Sequence, residues 1–177
     1  MRGFHRRNKM NPVLIANIIS FFGSLLMVMI GLIKTRQNIL IAQCASCGLL
    51  GVANVMLGGF AGCIANILSI FRNLIAYKKG TISLAVKIIF TLLQILLTAL
   101  TNKIGWIGWL PVVSVGMYTW LLNVQDVRKF KLILIITQIM WVIFDFYLKN
   151  YVAFTFDILT ILSNIVGIAR LTYAKAK

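Results

Sequence analysis

The chain has 177 residues, 60% of them hydrophobic, and a mean hydropathy of +0.94, against about 45–50% apolar residues in soluble domains. A soluble core of this size cannot hide so much apolar surface, whereas a bilayer interior is itself apolar. The 18 Lys and Arg against 3 Asp and Glu give a net charge of +15, but the basic residues punctuate apolar stretches instead of forming a patch, which argues against nucleic acid and matches the ends of membrane helices.

Residues 1–9 form a basic tail (Arg2, Arg6, Arg7, Lys9), and 10–177 read as one transmembrane domain. A spanning helix needs about 20 apolar residues. The first span covers 10–33 and is ended by Lys34 and Arg36; it is too long for a signal h-region and is followed by further spans. The uncharged run from Gln37 to Phe71 is too long for one helix, and Gly58-Gly59 divides it into spans 38–57 and 60–77, closed by Lys78-Lys79-Gly80. The fourth span is 81–101 and the fifth 104–123. A loop with Asp126, Arg128, Lys129 and Lys131 follows, then spans 132–148 and 151–172. The fold class is therefore all-α integral membrane with seven helices, whose short connections make successive helices antiparallel neighbours.

Loop charge sets the expected orientation. The connections after the first, third and fifth spans, with the C-terminal tail, carry ten basic residues, and the opposite connections carry only Lys103 and Lys149. The positive-inside rule then puts the C-terminus in the cytoplasm. The basic residues of 1–9 argue the other way, and a true start at Met10 is one resolution.

A weak internal repeat runs through the polar residues. A shift of 91 relates Asn54 to Asp145, Asn66 to Asp157 and Asn73 to Asn164; Arg36 and Arg128 match at 92, Gln43 and Gln138 at 95. The implied architecture is 3+1+3. Repeat one is 10–79, a linker helix occupies 80–102, and repeat two is 103–177. An odd linker makes the repeats parallel, related by an axis along the membrane normal.

A set of short motifs carries a family resemblance. They are Ser69-Ile-Phe-Arg72-Asn73, Trp109-Leu-Pro111-Val, Thr119-Trp120, Trp141-Val-Ile143, and Asn164 with Arg170. In this order and spacing, from Met10 onward, the chain resembles the YgjV family of bacterial inner-membrane proteins. That family is similar to the wider SWEET, PQ-loop and PnuC group of small-solute or vitamin-like transporters with 3+1+3 helices. The resemblance implies parallel triple-helix-bundle repeats and a bacterial inner-membrane location. No proline precedes Gln43 or Gln138, so the PQ dipeptide itself is absent.

Candidate functional residues are polar side chains where lipid would penalise them. A charge at mid-bilayer costs at least about 2.5–3.5 kcal/mol, so such residues face protein, a partner or a solute path. Asp145 and Asp157 are two of the three acids. Asp145 could simply pair with Lys149, and Asp157 could be a structural hydrogen-bonding group. Snorkelling is the plain reading of Arg72, Arg170 and Lys87. The amides Asn54, Asn66, Asn73, Asn164, Gln43, Gln94 and Gln138 could each merely tie helices together, or several could converge on a midplane pocket. Trp120 and Trp141 lie within spans, where packing competes with stacking on a flat or sugar-like solute. Cys44 and Cys47 read as small packing residues, since the one histidine, His5, lies in the tail and no metal-ligand cluster exists. Catalytic constellations are missing, and no cofactor is implied.

These features point to a small polar solute transporter in which two bundles rock around a midplane pocket. Asn66, Asn73, Trp141, Asp157 and Asn164 are the candidate solute-binding residues, and Asp145 and Asp157 the candidates for proton coupling. The competing reading is a non-transporting membrane scaffold or regulator; an intramembrane enzyme ranks third. The expected partners are the bilayer and a small polar solute, with a homo-oligomer left open.

Overall fold

The computed structural model describes residues 12–176, with side chains through Tyr173; the basic tail of 1–9 lies outside the described residues. Seven α-helices follow one another: α1 Pro12–Ile30, α2 Arg36–Met56, α3 Phe60–Lys79, α4 Leu84–Thr101, α5 Leu110–Leu121, α6 Val127–Tyr147 and α7 Tyr151–Ala176. Six of them, all but α5, are long and apolar enough to cross a membrane.

Two boundaries differ from the sequence expectation, each for a local reason. The fifth span is not one helix. Gly105, at φ 65°, starts a 3-10 turn over Gly105–Trp109, and Pro111 sits in the first turn of α5, where its missing N–H costs no intrahelical bond. At about 2.0 Å per residue for the turn and 1.5 Å for α5, the pair still covers about 28 Å. The sixth helix begins at Val127, not at 132, because Asp126 caps it. The Asp126 carboxylate accepts from the backbone N–H of Arg128 (2.8 Å) and Lys129 (3.2 Å). Three residues read as loop, Arg128, Lys129 and Lys131, are therefore helical.

The helices close into a ring. α1 packs on α2 and α7, α2 on α3, α3 on α5, α5 on α6, and α6 on α7; α4 stands outside, against α3 and α5. Polarity is inverted relative to a soluble protein. The outer surface carries Leu92, Leu96 and Leu100, the last 75% exposed, while Gln43, Asn66, Arg72, Asn73, Gln138, Asp145 and Asp157 are buried. An apolar solvent outside and hydrogen-bonding partners inside produce that arrangement.

The turns ending α2 and α6 share one geometry. Leu57 and Leu148 donate to the carbonyls of Ala53 and Phe144, both at 3.0 Å. Gly58 and Lys149 adopt φ of 78° and 58°, a left-handed helix stop for which glycine is the unstrained residue. Gly59 and Asn150 then donate to Asn54 and Asp145 at 2.7 and 3.0 Å.

The C-terminal ends of α1 and α5 are each tied across the ring. Arg36 Nη2 donates to the carbonyl of Leu122, just past α5, at 2.7 Å. Lys131 Nζ donates to the carbonyls of Ile30 and Gly31 at the end of α1, both at 2.9 Å. A cation at a helix C-terminus satisfies orphan carbonyls and opposes the negative end of the dipole.

Candidate functional site

The ring encloses a cavity of about 70 Å³ lined from α1, α2, α3, α5, α6 and α7. One part of its wall is acidic. Asp145 of α6 and Asp157 of α7 are 5% and 4% exposed, and their carboxyl groups are in hydrogen-bonding contact. A bare carboxylate has no donor, so such a contact is a hydrogen bond only with a proton between the two groups. Gln138 Nε2 donates to Asp157 Oδ1 at 2.5 Å, and Asn150 Nδ2 to Asp145 Oδ1 at 3.4 Å. Asp157 Oδ2 receives no hydrogen bond from a backbone, amide or alcohol donor, and Asn66 Nδ2, on the same cavity, has no acceptor. Asp145 makes no ion pair with Lys149. Among the described residues the one ion pair is Arg128–Asp126, at 3.9 Å and largely solvated.

The other part of the wall is cationic. Arg72 of α3 is 3% exposed and does not snorkel. Its Nη1 donates to Val115 O (3.3 Å) and Thr119 Oγ1 (2.9 Å), and its Nε and Nη2 to Asn73 Oδ1, both at 3.2 Å. The guanidinium lies 4.4 Å from the Tyr118 ring centroid, a cation–π contact. Asn73 Nδ2 donates to Gln43 Oε1 at 3.2 Å, and Tyr118 Oη donates to the same oxygen at 2.6 Å. Every member of this network lines the cavity except Thr119.

Of the five candidate binding residues, the structure brings Asn66, Asn73, Trp141 and Asp157 to the cavity, together with Asp145. Asn164 is fully buried but off the cavity wall, with Nδ2 donating to Thr160 O at 2.9 Å and Oδ1 unpartnered. Trp120 faces outward, its indole N–H donating to Thr91 Oγ1 on α4. Lys87 donates to the carbonyl of Trp120 at 2.8 Å. Arg170 is exposed, with Lys34 and Lys131 around one basic hollow. Cys44 Sγ donates to Ile70 O at 3.7 Å and Cys47 touches the cavity; among the described residues no cluster could hold a metal ion.

Sequence reasoning missed Arg72 and Tyr118 as cavity residues. The signal for Arg72 was depth: it precedes Lys78 by six residues, about 9 Å of helix, further from the basic end than snorkelling requires. Tyr118 carried no such mark, because nothing in an apolar helix distinguishes an inward tyrosine from a belt tyrosine.

The profile of the Imp-YgjV family, described as bacterial inner membrane protein, matches residues 14–175. No curated protein and no solved structure matches significantly.

Proposed function

Because the chain belongs to the Imp-YgjV family of bacterial inner membrane proteins, we propose that it carries a small polar solute across that membrane by alternating access around the central cavity. The observation that carries this reading is a polar chamber at the centre of an apolar ring, with Asn66 Nδ2 and Asp157 Oδ2 unpartnered on its wall. Buried polar groups are normally satisfied, and a bound solute is what would satisfy these.

The two moving bodies are α1–α3 and α5–α7, with α4 as linker. Several features support a two-fold relation between them at a shift of 91. The α2 and α6 end-turns fall at 57–59 and 148–150. Ser46 donates to Gly23 O at 2.7 Å between α2 and α1, and the counterpart positions Ser114 and Thr137 O bond at 3.0 Å between α5 and α6. Arg36 holds Leu122 and Lys131 holds Gly31, counterpart carbonyls on opposite halves. Loop charge favours the Arg36–Lys131 end as cytoplasmic. Both cross-half ties lie there, so the protein as described is closed on that side.

Asp157 is the coupling residue in this scheme. The titratable group facing it is Asp145 on α6; Arg72 on α3 shares its chamber, and α1 carries no charged residue. A proton held between two carboxyls can leave when the chamber opens and the pair separates. The test is uptake into proteoliposomes under an imposed pH gradient. Asp157→Asn should fold and insert, lose accumulation and retain downhill exchange. Unaltered pH-dependent uptake would remove proton coupling, and no uptake of any solute would leave the scaffold reading.

A further inference from the structure

The transport reading leaves the solute unnamed, but the charge layout of the chamber narrows it. Resting on that reading, we infer that the solute is a small zwitterion of the amino-acid type, with its carboxylate at Arg72 and its ammonium at Asp145 and Asp157.

The chamber is polarised by the two halves contributing different groups. α3 supplies the cation Arg72, and α6 and α7 supply the carboxyl pair. Asp145 and Asp157 are the 91-residue counterparts of Asn54 and Asn66, and Arg72 is the counterpart of Ser163. A solute with two unlike ends fits an asymmetric chamber; a solute with like ends does not use it.

Charge balance gives the same answer. Among the described residues Arg72 has no carboxylate within ion-pair distance. Its four bonds go to neutral oxygens, and a guanidinium has five N–H groups, so one Nη2 N–H is free for a ligand carboxylate. With one proton shared, the carboxyl pair carries one negative charge, and Arg72 one positive. A zwitterion compensates both and adds no net charge. An anion or a cation leaves one buried charge unmatched, which is strongly unfavourable. A neutral polyol leaves both unmatched.

The remaining unpartnered atoms fit the same occupant. Asp157 Oδ2 is an acceptor ready for an ammonium N–H, and Asn66 Nδ2 is a donor ready for a carboxylate oxygen. A cavity of about 70 Å³ has room for several waters, at about 10–15 Å³ each. The chamber therefore suits a small solute with little side chain.

The test uses the full-length protein in proteoliposomes, with counterflow of labelled glycine, alanine and β-alanine set against glycerol, ribose, acetate and ethylamine. The zwitterions should exchange and the other four should not. Arg72→Gln should lower exchange at least about tenfold, and Arg72→Lys should retain part of it, because a point charge replaces a forked one. A thermal shift of the wild-type protein by glycine but not by acetate or ethylamine gives the same answer without any variant, should Arg72→Gln fail to fold. Exchange of ribose or of a singly charged solute without the zwitterions would overturn the assignment and leave transport standing. Exchange of none of the seven, with no thermal shift, would overturn the assignment, and the transport reading would then stand or fall on the uptake test above.

Discussion

Lys131 offers the clearest energetic test, because one buried ammonium holds two helix-end carbonyls. It is 1% exposed and donates to Ile30 O and Gly31 O at 2.9 Å each. A hydrogen bond to a charged group contributes about 1.5–3 kcal/mol net, with desolvation included. The two bonds share one desolvation and are not independent, so about 3 kcal/mol is the expected loss for Lys131→Met, a substitution that keeps the length and apolarity of the stem. Arg36 makes one such bond, at 2.7 Å, with its Nε unpartnered; Arg36→Met should cost about half as much. The readout is equilibrium unfolding from mixed micelles into SDS, followed by the fluorescence of the four tryptophans. Stability unchanged in Lys131→Met, or a larger loss in Arg36→Met, would refute the reasoning that these cations hold the halves through carbonyl bonds.

A methyl group at Gly31 would fall on Ser163 of α7, whereas one at Gly48 meets nothing within 4 Å; Gly31→Ala should therefore cost about 1–3 kcal/mol and Gly48→Ala should gain about 1 kcal/mol from helix propensity, both read by the same unfolding assay. Asp126 is held below the usual carboxylate range by the Lys129 and Arg128 backbone N–H groups, so its capping contribution is complete above about pH 4 and lost as pH falls through its depressed value; Asp126→Ala should flatten the acid limb of a pH–stability curve and leave its neutral plateau lower. A reporter fused at Lys177 that fluoresces only in the cytoplasm should light up, and a dark fusion with an active periplasmic reporter at the same site would reverse the orientation.

Helix positions were legible because charges and glycines stop membrane helices: Lys78-Lys79-Gly80 ended α3 within two residues of the observed stop, and Gly58-Gly59 divided α2 from α3. The start of α6 was not, since Arg128, Lys129 and Lys131 resemble a loop unless Asp126 is read as a cap. Helix rotation was legible only through polar residues. Asp145, Asp157, Asn66 and Asn73 face inward because lipid cannot solvate them. Apolar and aromatic residues carry no such instruction, because lipid and a packed neighbour are equally apolar. That is why Trp120 and Trp141, both placed within spans, part company: Trp120 is nearly half exposed and Trp141 meets the cavity.

The position of α4 outside the ring makes its two seams mechanically unequal. Between α3 and α5, a third helix leans across the joint as a splint, with Lys87 riveted to the Trp120 carbonyl. Between α1 and α7 no helix lies outside. Gly31 and Gly167 bring those backbones into near-direct contact, and Ser163 Oγ donates across to Val28 O at 2.7 Å. The splinted joint is buttressed on its outer side by a third helix. The opposite joint is the free edge, and acyl chains press on it directly. The close approach at Gly31 and Gly167 and the Ser163 bond are therefore what hold that crossing, with no third helix behind them.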